Sequence, residues 1–156
     1  MPSPVATADD RRWMKIAIEL AHTCLPAEGA YSVGAVIVGA DGQEISRGYS
    51  REIDPKAHAE ESALAKLTGD HSRLLGSTIY STLEPCSQRA SRPLTCTQLI
   101  LAAGIKRVVV AWREPSLFVA NCQGVEFLEQ AGVTVIEIPE LGDLAQEPNK
   151  HLAIDQ

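Results

Sequence analysis

The chain has 156 residues, 45% of them hydrophobic, which is the length of one ordinary domain with enough apolar side chains for a single core. A formal net charge of -6 and a pI near 5.2 supply no basic field to gather polyanions, which argues against long DNA or RNA as a partner. The longest apolar stretches, Leu99 to Ile105 and Val108 to Trp112, fall far short of the roughly 20 residues of a membrane span, and the N-terminus lacks the pattern of a secretory signal, so a cytoplasmic protein with no membrane partner is expected.

Thr7 with Asp10 three residues on resembles a helix capping box, and Trp13, Ile16, Ala17, Leu20, Ala21 and Cys24 then recur at helical spacing. This pattern predicts a first helix over about 9–24, ended by Pro26, with Cys24 on its core stripe. Val33 to Val38 and Glu44 to Tyr49, joined through Ala40-Asp41-Gly42, predict an antiparallel hairpin. Alternating units follow: helix 58–67, strand 77–82, helix 93–103, strand 107–112, helix 123–131 and strand 133–138. Gly69, Gly104 and Gly132 stand where these helices need a left-handed end. Strands separated by helices imply right-handed crossovers and parallel pairing. The expected fold class is therefore α/β, a three-layer α/β/α domain on a mixed five-stranded sheet with the last strands parallel. One domain is expected over 1–156, with its core over about 9–138 and a polar, peripheral tail over 139–156.

In such a sheet, ligands gather at the carboxyl ends of the strands, where helices present their N-termini. Two segments fall there: His58-Ala59-Glu60 at the start of the second helix, and Thr82-Leu83-Glu84-Pro85-Cys86 running toward Cys96. Each is weak alone, since a helix often begins with a solvated His and Glu, and core thiols are common. Together they resemble the HxE and PCxxC pattern of zinc deaminases, in which one His and two Cys ligands hold the metal beside a non-ligating Glu, but with nine residues between the two cysteines here. Three N/S ligands leave a fourth position open for water, as a catalytic zinc site requires. His58, Cys86 and Cys96 are thus the candidate ligands of Zn2+ and Glu60 the candidate catalytic proton carrier. Helix N-termini stabilise thiolates, and Pro93 is expected in the first turn of the third helix, with Cys96 one turn inside it. Cys122 has no ligand spacing, and His22, His71 and His151 read as surface or capping residues.

The segments VGAVIV (33–38), HAEESAL (58–64), TLEPC (82–86) and AGIKRVVVA (103–111) resemble the cytidine deaminase superfamily over about 13–138. Within it the chain is most similar to the deaminase domain of the riboflavin-biosynthesis deaminase/reductase, although no reductase domain is expected after Ile138. PCSQRASRPLTC echoes that family's longer insertion between the two cysteines, while Ala30-Tyr31-Ser32 stands where the family carries an Asn-Pro pair. The resemblance implies zinc at His58, Cys86 and Cys96, a proton shuttle at Glu60, a small-molecule aminopyrimidine substrate and a homodimer or higher homo-oligomer. A helix between the last two strands favours a phosphorylated or extended substrate. Ser32, Ala59, Glu84, Arg89 and Arg92 are the candidate substrate contacts, the two arginines as phosphate ligands or, equally, as solvated loop residues. The riboflavin-precursor and cytidine-type substrates both remain open. So do a tRNA or free-base purine deaminase and, from another class, a non-catalytic zinc-stabilised nucleotide-binding module.

Overall fold

The computed structural model describes residues 5–27, 29–67, 72–86, 94–113 and 123–152. Among them, five strands form one sheet: β1 (Gly34–Val38), β2 (Glu44–Tyr49), β3 (Thr78–Leu83), β4 (Arg107–Trp112) and β5 (Thr134–Glu137). The strand order is β2-β1-β3-β4-β5, with β1 antiparallel to β2 and β3, while β3, β4 and β5 run parallel. The helices are α1 (Ala8–His22), α2 (Ala59–Ala65), α3 (Cys96–Ala103), α4 (Gly124–Gln130) and α5 (Gly142–Gln146). The α/β class and the parallel last strands agree with the sequence expectation. Gly104 and Gly132 take the left-handed backbone foreseen for helix ends; Gly69 lies outside the described residues.

Successive strand side chains point to opposite faces, and here both faces are apolar. Val36, Val38, Tyr80, Val109, Ala111, Ile136 and Ile138 pack with Met14, Ala17 and Ile18 of α1. Ile37, Ile79, Val108, Val110 and Val135 face the other way, onto Ala63 of α2, Ile100 of α3 and Leu128 of α4. The sheet is therefore the middle layer of three, and the strand ends are the places left for chemistry.

Two sequence expectations are corrected. The face of α1 turned to the sheet carries Met14, Ala17, Ile18 and Ala21, whereas Trp13, Ile16 and Leu20 flank it and are only partly buried. The reason is a close crossing: a Cβ on Gly34 of β1 would lie 1.9 Å from the Ala17 carbonyl oxygen, so the contact admits only small residues on both elements. Cys24 falls beyond the helix end and is half-buried, not core, with its Sγ 3.8 Å from the Val33 carbonyl. The second correction concerns the segment after Ile138, expected to be peripheral. Leu141 and Ala145 join the α1 face of the core, and Asn149 and Leu152 are buried as well. Leu141, Ala145, Asn149 and Leu152 repeat at helical spacing, a stripe obscured in the sequence by Pro139, Pro148 and the polarity of Asn149.

Asp10 does more than cap α1. Its carboxylate accepts from Thr7 N, from Tyr80 Oη at 2.7 Å and from both terminal nitrogens of Arg107 at 2.8 and 2.7 Å, joining α1 to β3 and β4. Burial opposes its charge, but the Arg107 guanidinium and the bonds from Thr7 and Tyr80 prevail and hold it well below the ordinary carboxylate range. A carboxylate with a depressed folded-state pKa stabilises the fold above its unfolded value, near 3.8, and that contribution disappears as pH falls below it. Asp10→Asn is expected to cost about 3 kcal/mol, because it removes the buried charge that pairs the partly exposed Arg107 and turns an amide donor toward the Arg107 and Tyr80 donors. That corresponds to a fall in Tm of about 6–12 °C at pH 7. Thermal melts of both proteins check it: the gap should be constant above about pH 5 and shrink below pH 4.

Candidate metal centre and active site

The three candidate ligands arrive from three separate pieces of chain. His58 is the N-cap of α2, Cys86 lies three residues past β3, and Cys96 is the first residue of α3. His58 Nδ1 is 3.3 Å from Cys96 Sγ and 3.7 Å from Cys86 Sγ, and the three ligand atoms lie within 4.8 Å of one another. A tetrahedral zinc with its usual bond lengths places N and S ligands about 3.6 Å apart, so the donor set and its spacing fit that ion. Both thiols are buried. Among the described residues this is the one group of three or more such side chains that could hold a metal.

Local structure explains the convergence. Cys86 is gripped by the first turn of α3, where Cys96 N donates to Cys86 Sγ at 3.2 Å and Thr97 N donates to Cys86 O at 3.2 Å. These amides have no partner within their own helix, and the helix dipole there favours an anion. The Cys86 thiol is held well below its ordinary range, by the hydrogen bond with Cys96 first and by His58 next, against the opposing effect of burial. Cys96 stands at the very start of α3 rather than one turn inside it. The cap is Thr95, whose hydroxyl accepts from Gln98 N while Gln98 Oε1 accepts from Thr95 N. Thr95-x-x-Gln98 is a capping box legible in the sequence; the expected start at Pro93 lies outside the described residues.

Three residues that sequence reasoning missed shape this end of the sheet, two of them holding the ligands themselves. Glu61 Oε1 accepts from His58 N at 3.2 Å, the reciprocal half of an N-terminal cap, and the signal for it was the acidic residue three places after His58. Gly124 begins α4 against Pro85: a Cβ there would lie 1.9 Å from the Pro85 carbonyl oxygen, so glycine alone allows α4 to press on the loop that carries Cys86. Arg51, with a left-handed φ of 64°, aims its guanidinium at the turn before β1 and donates to Tyr31 O at 3.1 Å and Ser32 Oγ at 2.9 Å.

The other sequence-designated residues are placed as follows. Glu60 is buried, only 4% exposed, two residues from His58 in the first turn of α2. Ala59 is fully buried between them and packs with Tyr31, Val33 and Leu83. Ser32 is buried beside this cluster at the same end of the sheet, its N–H donating to Asn149 and its carbonyl accepting from it. Glu84, also buried, accepts from Val125 N at 2.9 Å and so ties the end of β3 to α4. Arg89, Arg92, Cys122 and His71 lie outside the described residues. His22 is at the exposed end of α1, 3.9 Å from Glu147, and His151 Nε2 is 2.8 Å from Ala27 O, both away from the ligand set.

Cys96→Ser and Gly124→Ala are both expected to lower the zinc content of purified protein from about one per chain, the first by removing a ligand and the second by displacing Pro85 and Cys86. Cys24→Ser should leave it unchanged. Metal analysis by mass spectrometry checks this, and equal zinc in all three variants would contradict the ligand assignment.

Comparison with known proteins agrees with this geometry. Residues 7–112 match the cytidine and deoxycytidylate deaminase zinc-binding region. The chain is 44% identical over 127 residues to the diaminohydroxyphosphoribosylamino-pyrimidine deaminase of Schizosaccharomyces pombe, covering 80% of this chain and 31% of that protein. It is 38% identical over 131 residues to the riboflavin biosynthesis protein RibD of Aquifex aeolicus, covering 81% of this chain and 34% of that one. The chain thus spans about a third of the length of these curated relatives. Among solved structures, RibD of Acinetobacter baumannii superposes with a TM-score of 0.73 at 38% identity, over 91% of this chain and 38% of that one. The Aspergillus oryzae Rib2 deaminase, solved in complex with DARIPP, shares the fold with a TM-score of 0.69 at 23% identity, over 82% of each chain. By fold, ligand geometry and sequence, the chain belongs to the cytidine and deoxycytidylate deaminase zinc-binding family.

Proposed function

We propose that this chain is a zinc-dependent hydrolytic deaminase of an aminopyrimidine nucleotide, of the diaminohydroxyphosphoribosylamino-pyrimidine type, releasing ammonia. The observation that carries the reading is the convergence of His58 Nδ1, Cys86 Sγ and Cys96 Sγ, with buried Glu60 two residues from His58. The substrate class is supported by the 44% identity to the S. pombe deaminase across most of this chain.

His58, Cys86 and Cys96 would hold the metal. When bound, zinc lowers the pKa of a coordinated water so that a strong nucleophile is available at neutral pH. Glu60 accepts one proton from the attacking water and delivers it to the ring nitrogen beside the carbon under attack. It then carries the second proton to the departing amino group. The water oxygen becomes the ring carbonyl, the carbon–nitrogen bond breaks, and the amine leaves as ammonia, so atoms and charge balance. Tyr31 and Trp112, packed edge to face with ring centroids 5.7 Å apart, supply an apolar wall at this end of the sheet. Thiolate ligands suit a reducing compartment, which supports a cytoplasmic setting. A homo-oligomer belongs to the same reading and is checked by light scattering.

The test is ammonia release from a panel of cytidine, deoxycytidine and diaminopyrimidine ribosides, each with and without a 5′-phosphate. Turnover is expected for the phosphorylated diaminopyrimidine. Glu60→Gln should lower kcat at least about a hundredfold, the lower end of general acid–base catalysis, with zinc content unchanged. Protein that holds zinc but releases ammonia from none of these compounds would be a non-catalytic binding module, and the deaminase reading would fall.

A further inference from the structure

Asn149 is fully buried, and its carboxamide is committed twice to one residue: Oδ1 accepts from Ser32 N at 2.6 Å and Nδ2 donates to Ser32 O at 3.1 Å. A carboxamide matched in this way to the N–H and C=O of a single residue imitates one rung of strand pairing and fixes the peptide planes on either side of it. Arg51 holds the same turn from the other side, through Tyr31 O and Ser32 Oγ. Because β1 runs antiparallel to β3, the turn that leads into Gly34 stands at the end of the sheet from which Glu84, Pro85 and Cys86 depart. Leu152, three residues past Asn149, packs with Tyr31, Val33, Leu83 and Ala59, and Ala59 lies between His58 and Glu60.

Resting on the deaminase reading above, we propose that Asn149 is a positioning residue for substrate binding: through Ser32 it sets the turn 31–33 as one wall of the base pocket. Asn149 itself does not touch the reacting atoms. The paired match satisfies the buried N–H and C=O of Ser32, which a hydrophobic side chain of the same volume would leave without partners. The polar pairing aligns a backbone, and a backbone set at the pocket wall changes how the substrate is held more than how fast it reacts.

Steady-state kinetics of the zinc-loaded full chain on the phosphorylated diaminopyrimidine test this, with Asn149→Ala and Asn149→Asp compared to Leu141→Ala. Leu141→Ala loosens the same segment without touching Ser32. Asn149→Ala is expected to raise KM about tenfold, the effect of about one lost buried hydrogen bond, with kcat within about threefold and zinc content unchanged. Asn149→Asp keeps the acceptor for Ser32 N but sets an anion against Ser32 O, and should raise KM at least as much. Leu141→Ala should lower Tm and leave KM near the parent value. If Asn149→Ala does not fold, Asn149→Asp and Arg51→Lys, which slackens the turn from its other side, carry the test with the same expected rise in KM. Unchanged KM in the Asn149 variants, or an equal rise in Leu141→Ala at equal loss of Tm, overturns the inference while leaving the deaminase reading intact. A parent protein with no turnover on the whole panel overturns both.

Discussion

The site depends on the grip of one helix start on one loop residue. Two amides of the first turn of α3 take hold of Cys86, one through its sulfur and one through its carbonyl. That single contact fixes the Cys86 thiol beside Cys96 and favours its thiolate, and it satisfies helix donors that would otherwise be buried without partners. His58 then needs only to be brought up from α2, and its position as N-cap, held by Glu61, does this. The metal centre is a meeting of two helix N-termini across a strand end, which explains how side chains 38 positions apart in the chain come within 3.3 Å.

Everything else keeps those termini at the same edge. The parallel pairs of β3, β4 and β5 place all their carboxyl ends together, and the antiparallel β1 adds the turn 31–33 to the same edge. On the opposite face, the Asp10 carboxylate ties α1 to Tyr80 of β3 and Arg107 of β4. A charge buried there is tolerated because every bond it makes is charge-assisted or well matched, and the network locks the register of helix against sheet. Gly34 and Gly124 act through the space they leave open: each allows a helix to approach closer than any side chain would permit, the first on β1 and the second on the loop bearing Cys86.

Much of this was legible in the sequence. The strands were readable because β1, β4 and β5 carry apolar runs, β2 follows β1 across Asp41-Gly42 and β3 lies between two helical patterns; the ligand set was readable because His58-Ala59-Glu60 and Pro85-Cys86 occur together. Less legible was which face of α1 meets the sheet. The expected stripe held Ala17 and Ala21 together with Trp13, Ile16 and Leu20, whereas close packing at Gly34 keeps the two alanines and turns Met14 and Ile18 inward in place of the larger three. The segment after Ile138 was misjudged for a related reason, since its buried stripe includes Asn149, whose polarity suggested solvent. A buried carboxamide is permitted where both of its groups are paired, and the Ser32 backbone that pairs them is 117 positions away.

The sequence by itself therefore determined the five strands, the four helices between residues 8 and 130, the order of crossovers and the candidate metal ligands, because these follow from periodicity, turn signals and short chemical motifs carried within each segment. Only the tertiary structure decided what surrounds the ligands: Glu84 on the Val125 amide at the start of α4, and Asn149 and Arg51 on the turn 31–33. These are contacts between backbone groups and distant side chains. A backbone amide has the same chemistry at every position, so nothing local in the sequence marks which one a remote Asn, Glu or Arg will find.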